Sequence, residues 1–165
     1  LTLFSFPMFS IHYIIITMIK TISFFSRFGW ISAVEEKGKI KKIKFSKMKN
    51  FGKSKTLIKF KNNLINFFSH KTNIIKAPMK LDGNPLQKKI WKEIIKIKHG
   101  KTKSYGEIAK KLQLSPRFVG KVCGQNNLIL LVPCHRVLRS DGTLGGFSSP
   151  GGIKLKKKLL NFEQI

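Results

Sequence analysis

The chain has 165 residues, 42% of them hydrophobic, enough for one full-size domain or two small ones built around real cores. Its 33 Lys and Arg against 7 Asp and Glu leave a formal charge of +26, a field that draws polyanions at long range and makes nucleic acid the natural partner. Two cysteines, Cys123 and Cys134, exclude a disulfide framework and a four-cysteine zinc site, and point to a reducing, cytoplasmic setting.

Two readings of these features stay open. Heavy use of Lys, Ile, Asn and Phe together also fits a compositional bias in which most lysines are merely solvated. Only four basic residues are Arg, at 27, 117, 136 and 139, and three of them fall in the last third, where a planar multidonor cation would be wanted. A single disulfide between the two cysteines is the alternative to two free thiols.

In chain order, residues 1–17 are apolar but lack the basic leader and cleavage site of a signal peptide, and they are short for a membrane span. Because MIKTISFF from Met18 reads like a proper beginning, this segment is taken as an extension outside the native protein, with a membrane anchor as the alternative. From Met18 to Phe45, MIKTISFF, GWISAVEE and KIKKIKF are short runs rich in β-branched and aromatic residues, separated by turn material at Glu36, Lys37 and Gly38. They predict a small antiparallel sheet. Leu57, Phe60, Leu64, Phe67 and Phe68 then recur at helical spacing and would cover it. No catalytic constellation stands in this half.

Pro78, Gly83 and Pro85 mark a boundary, after which Asn84 and Pro85 supply an N-cap and a first-turn proline. Leu86, Ile90, Ile94 and Ile97 form the stripe of the helix that follows, with Lys98, His99 and Gly100 as its basic last turn and stop, and His99 as a capping or surface residue. SYGEIAKKLQLSPRFVGKVCGQN predicts two short helices around a tight turn at Gln113, Leu114 and Ser115, which is helix-turn-helix spacing. The run LILLV reads as a buried strand that delivers Pro133, Cys134, His135 and Arg136 at its end. A glycine-rich loop, GTLGGFSSPGG, precedes a last amphipathic helix carrying Leu155, Leu159, Leu160 and Phe162. The fold class is α+β.

Cys134 lies between Pro133 and His135, with Arg136 beyond, so a thiol is held on a stiff turn beside cations that favour its thiolate. From these residues alone, a nucleophile and an inert buried cysteine are equally good readings. The motif PCHRV, preceded by Asn126 eight residues before the cysteine, resembles the active-site signature of the O6-alkylguanine-DNA alkyltransferase (methylated-DNA–protein-cysteine methyltransferase) family. KTKSYGEIA, RFVGKVCGQN, GGF and KKKLLNFE extend the resemblance over nearly all of 84–163. The amino-terminal half shares only a general sheet-and-helix layout.

The resemblance implies a ribonuclease H-like α/β domain over 18–80. Over 84–165 it implies a mainly helical domain with a winged helix-turn-helix-like DNA-binding and active-site unit. It implies irreversible, single-turnover transfer of an alkyl group from O6-alkylguanine in DNA, with O4-alkylthymine as a further candidate substrate, to Cys134. His135, oriented by Glu163, would take the thiol proton through a water, since adjacent side chains on an extended backbone diverge. Tyr105 would donate to guanine N3, and Ser148 would hold O6. Arg117 would fill the gap left by the flipped base from the minor groove. Asn126 would tie the recognition helix to the active-site segment, and Arg136 and Val137 would contact DNA or the base. The expected partner is double-stranded DNA, the expected state a monomer off the membrane, and no organic cofactor or metal is implied. Some relatives hold zinc in the amino-terminal half, but here that half has no Cys, and His12 and His70 are too few. The chain departs from the family's pattern at Asn127 and Ile129, where prolines are usual, which leaves the stiffness of the base pocket and the preferred alkyl size open.

Two rival readings remain on the sequence. One is a non-catalytic helix-turn-helix regulator or damage sensor, which would be expected to lack the acceptor cysteine. The other is a cysteine hydrolase, weakened by the adjacency of Cys134 and His135 and by the lack of an oxyanion glycine pair before the cysteine.

Overall fold

The computed structural model describes residues 19–164. The apolar segment 1–17, the start suggested at Met18, and Ile165 lie outside the described residues. Three antiparallel strands come first, β1 (Ile19–Ser26), β2 (Gly29–Glu36) and β3 (Lys39–Lys44), in the order β1-β2-β3. Alternation decides which face they bury: Phe24, Ile31, Ala33 and Ile43 point into the core, while Phe25 and Trp30 face out. Helix α1 (Lys55–Phe68) covers the inner face with Leu57, Phe60, Leu64, Phe67 and Phe68, the stripe expected from the sequence. Ser54 starts the helix by accepting from the Leu57 amide, and its hydroxyl also donates to the buried Glu35 carboxylate.

After a crossing segment that pairs Met79 with Ile40, Asn84 and Gln87 form a capping box and open α2 (Pro85–Ile95). The helix ends earlier than the Lys98–Gly100 stop expected from the sequence, because the Lys96 amide bonds back to the Glu93 and Ile94 carbonyls and turns the chain inward. Ile97 is thereby buried. Leu86, placed on the apolar stripe by its spacing, is instead exposed. His99 is half-buried, its ring edge-on to Phe67 at 5.4 Å, so it packs among aromatics rather than capping a helix.

The two-residue strand β4 (Lys103–Ser104) leads into α3 (Tyr105–Leu112), and α4 (Pro116–Gly124) follows. Ser104 with Glu107, and Ser115 with Pro116, start the two helices, and Gln113 turns between them with a left-handed φ of 57°. This is the helix-turn-helix expected from the sequence. The chain closes with a short 3-10 turn, Cys134–Arg136, then β5 (Val137–Leu138), which pairs in parallel with β4, then an irregular glycine-rich loop and α5 (Gly152–Phe162).

The LILLV run is not the strand its hydrophobicity suggests. All five residues from Leu128 to Val132 are buried, but the Val132 amide reaches back to the Leu128 carbonyl at 2.7 Å and Leu130 takes a φ of 77°. A left-handed leucine is strained by about 1–2 kcal/mol and persists where burial on every side over-determines it. Among the described residues the segment joins the sheet at one bridge, where the Ile43 amide donates to the Asn127 carbonyl at 2.8 Å.

Buried side chains from both halves form one continuous core, and Phe28, Phe67, Phe68 and Phe162 meet at its seam with ring centroids 5.1–6.0 Å apart. No helix among the described residues is long and apolar enough to cross a membrane. Phe60 is fully buried under the sheet. Phe60→Ala is expected to lower the unfolding free energy by about 3–5 kcal/mol in urea titration, since the cavity cannot fully collapse.

Candidate active site

Cys134 sits at the start of the 3-10 turn, 5% exposed, with its thiol between two partners from the preceding bend. The Asn126 side-chain amide donates to Sγ, and the thiol itself points to the Val132 carbonyl at 3.3 Å. Asn126 follows directly from the end of α4 and also pins the bend. Its Nδ2 donates to the Val132 carbonyl at 2.9 Å and its Oδ1 accepts the Leu128 amide at 2.8 Å. The left-handed turn at Leu130 is thus held from within by one buried side chain. Burial pushes the Cys134 thiol up to about 11, against the opposing hydrogen bond from Asn126. At neutral pH the resting group is therefore a thiol and needs a base.

His135 and Arg136 point the opposite way, into a buried carboxylate. Glu163, just past α5, accepts from His135 Nε2 at 2.9 Å, from Arg136 Nε and Nη2 at 2.9 and 2.8 Å, and from the Gly100 amide at 3.3 Å. Arg136 Nη1 spends a further bond on the Ile97 carbonyl at 2.7 Å, which the early end of α2 makes available. Burial alone would raise the Glu163 carboxyl, but the hydrogen bonds of His135 and Arg136 and the Arg136 charge hold it down to about 2. Burial lowers the His135 ring below the ordinary imidazole value of 6.5, so it is neutral at pH 7. With a carboxylate on Nε2, the neutral ring carries its proton there and leaves the Nδ1 lone pair free. Nδ1 is buried and has no hydrogen bond to any described residue.

The second half of the site is built around Tyr105, the first residue of α3. Its hydroxyl accepts from Lys156 Nζ at 3.5 Å, and the same ammonium donates to the Val137 carbonyl at 2.6 Å. Burial pushes the phenol up to about 12 and lowers the Lys156 ammonium. Across the ring lies Gly145, where a Cβ would stand 2.7 Å from the phenol, so only glycine lets the loop close over Tyr105. Tyr105, Arg117, Gly120, Arg139, Gly145 and Ser148 line a cavity of about 490 Å³ between α4 and the glycine-rich loop. Cys134 does not line it. Two roomier clefts, of about 650 and 590 Å³, run along 73–79, and the second reaches Pro133 and Arg136 from behind.

The structure therefore pairs buried Cys134 with Asn126 and, on the next residue of the same turn, buried His135 with Glu163, and it places Tyr105, Arg117 and Ser148 around one cavity. Arg136 does not stand where a DNA contact would need it: it is buried, and its donors are spent on Glu163 and Ile97. Val137 is fully buried, with its carbonyl held by Lys156. Lys156, at 0% exposure, is the residue that sequence reading missed. It hides in a run of lysines, yet it shares a helix stripe with Leu160 and Glu163, four and seven residues on, which marked it as inward-facing. Arg139, exposed and lining the same cavity, belongs to the arginine cluster of the last third.

A family model for the DNA-binding domain of 6-O-methylguanine DNA methyltransferase matches residues 85–165. The chain is also 36% identical over 149 residues to the methylated-DNA–protein-cysteine methyltransferase of Metallosphaera sedula, covering 88% of this chain and 94% of that one. The chain belongs to the methylated-DNA–protein-cysteine methyltransferase family. The protein of the same name from Saccharomyces cerevisiae is 44% identical over 86 residues, 51% of this chain and 45% of its own. Among solved structures, the O6-methylguanine methyltransferase of Mycobacterium tuberculosis superimposes with a TM-score of 0.78 at 25% identity, covering 89% of this chain and 93% of that one. The OGT protein of the same organism, in a complex with DNA, gives 0.77 at 27% identity over 87% and 92% of the two chains.

The depressed Glu163 carboxyl makes a pH prediction. A folded value near 2 against an ordinary 4.5 contributes stability that is present above pH 4.5 and lost as pH falls toward 2. In Glu163→Gln, equilibrium unfolding near neutral pH should show a loss of about 3–5 kcal/mol, because Arg136 is left buried without its anion. The acid-dependent loss of stability should shrink in the same variant.

Proposed function

We propose that this chain repairs O6-alkylguanine in DNA by moving the alkyl group irreversibly to its own Cys134. The observation that carries the reading is the buried unit in which Glu163 orients a neutral His135 beside a protonated thiol. Family membership supports the reaction, and the Mycobacterium tuberculosis complex with DNA supports the partner. The +26 charge suits a polyanion, and the cavity beside Tyr105 is of small-ligand size, open at a helix-turn-helix. The roomier clefts along 73–79 have no cysteine in their walls and are not taken as the base site.

In this reading a duplex lies against α4, and the alkylated guanine swings out into the cavity past Tyr105 and the 145–148 loop. Arg117, exposed near the start of α4, fills the space it leaves from the minor groove. The Cys134 proton passes through a water to His135 Nδ1, and the resulting imidazolium is stabilised by the Glu163 carboxylate. The thiolate then attacks the alkyl carbon: the S–C bond forms, the C–O6 bond breaks, and its electron pair goes to the base. Lys156 occupies a lone pair of the Tyr105 oxygen, so the phenol proton is free for guanine N3, and the nearby ammonium eases the charge left behind. Ser148 stands at the exposed loop where O6 would lie. The product is a thioether that no neighbouring group can cleave, so each molecule acts once, and one chain suffices.

The reading is tested with a duplex carrying one O6-methylguanine whose methyl is radiolabelled. Label should appear on the Cys134 peptide at no more than one methyl per chain, and be absent in Cys134→Ser. Binding of the duplex without transfer would leave a damage sensor and overturn the assignment.

The pH dependence separates the proposed base from a free thiolate. Because the thiol sits near 11 and His135 below 6.5, the single-turnover rate at saturating DNA should be level from about pH 7 to about pH 9. It should fall only in acid, as His135 protonates. A rate climbing about tenfold per pH unit across that range would contradict base assistance.

A further inference from the structure

The outer face of the sheet carries a surface that the repair chemistry does not use. Phe25 and Trp30 are register partners across β1 and β2 and face away from the core. Phe25 is 70% exposed and Trp30 37%, and their rings meet edge-on with centroids 5.6 Å apart. Lys47 sets its ammonium 4.7 Å from the Trp30 ring centroid. Trp30, Phe45 and Lys47 form one wall of a cleft of about 420 Å³, and Pro150, Lys154 and Lys158 form the other. Every titratable residue lining the cleft is a lysine.

Its position links it to the base cavity. Ser148 lines that cavity and Pro150 lines this cleft, and two residues of chain span at most about 7 Å. Between them, Ser149 is buried with its hydroxyl unpaired among the described residues. A strand leaving the base cavity along the 148–150 loop would enter a cleft lined by Lys154 and Lys158 of α5 and by Trp30, whose ring meets Phe25.

We propose that this cleft is a second nucleic-acid contact that takes an unpaired DNA strand, its bases stacking on Trp30 and Phe25 and its phosphates meeting Lys47, Lys154 and Lys158. The inference rests on the repair reading above. A duplex hides its base faces, whereas an unpaired strand presents them, and exposed aromatics among cations are the chemistry that holds such strands. A cleft of this volume is of small-ligand size and admits a base or two, not a double helix. The chain would thus favour lesions beside gaps, overhangs or forks over those inside continuous duplex.

The test compares the full chain on two O6-methylguanine duplexes, one blunt and one with an oligothymidine overhang, by fluorescence anisotropy at fixed salt, alongside methyl transfer. The overhang should tighten Kd by roughly tenfold. Trp30→Leu and Lys47→Gln should each remove most of that gain and leave blunt-duplex binding and transfer unchanged. Should Trp30→Leu fail to fold, Lys47→Gln with Phe25→Ser decides the matter. Equal binding of the two duplexes by the unaltered chain, or a gain that survives these variants, overturns the inference while transfer from the blunt duplex keeps the repair reading intact. Absence of transfer from both duplexes overturns the repair reading, and an overhang gain that Lys47→Gln removes would then stand alone as a property of the cleft.

Discussion

The structure depends on one buried carboxylate. Glu163 is 3% exposed, and a lone anion at that depth would be strongly destabilising. It is tolerated because Arg136 faces it with two bonds, while His135 and the Gly100 amide occupy the rest of its acceptor capacity. These partners come from two parts of the chain distant from Glu163. Arg136 and His135 belong to the 3-10 turn, Gly100 to the loop after α2, and Glu163 to the end of α5. The same contact that closes the carboxy-terminal fold also holds the His135 ring, next in sequence to Cys134.

Strain and function meet in the segment just before. A five-residue apolar run would ordinarily extend, and here it folds back on itself with Leu130 left-handed. Asn126 makes that bend stable by satisfying two backbone groups within it, and the same amide reaches the sulfur. With Asn127 and Ile129 in place of prolines, the stiffness of the bend comes from Asn126 and from burial on both sides. On the far side, Lys156 performs a comparable double task, holding the Val137 carbonyl and the Tyr105 hydroxyl together. Two buried polar side chains thus fix two halves of a site whose remaining walls are glycine loop and exposed arginine.

Much of the fold was legible because period and punctuation agree. The strands of the sheet, the Phe60 stripe, the helix opened by Asn84 and both helices of the helix-turn-helix follow from β-branched and aromatic runs, helical spacing and turn residues. The bend at 128–132 was not, since a short apolar run looks alike in a strand and in a buried turn, and its cause is a side chain two residues upstream. Cys134 was legible as a candidate from its neighbours, whereas Glu163 as partner to His135 came only through resemblance, 28 residues away with no local mark. The resemblance implies Arg136 as a DNA contact, and arginine does suit phosphates. It suits a buried carboxylate equally well, and only burial distinguishes the two. Lys156 was masked by the lysines around it, where composition overwhelms position.

Burial keeps His135 neutral and Glu163 fixes its one proton on Nε2, so that Nδ1 is free to accept in the proposed transfer. Nitrogen-15 NMR of the His135 ring in the intact chain at neutral pH reads that state directly. A neutral ring protonated at Nε2, changed in Glu163→Gln, is the predicted result. An imidazolium at neutral pH, or a ring protonated at Nδ1, would contradict it, for then no base stands ready for the Cys134 thiol.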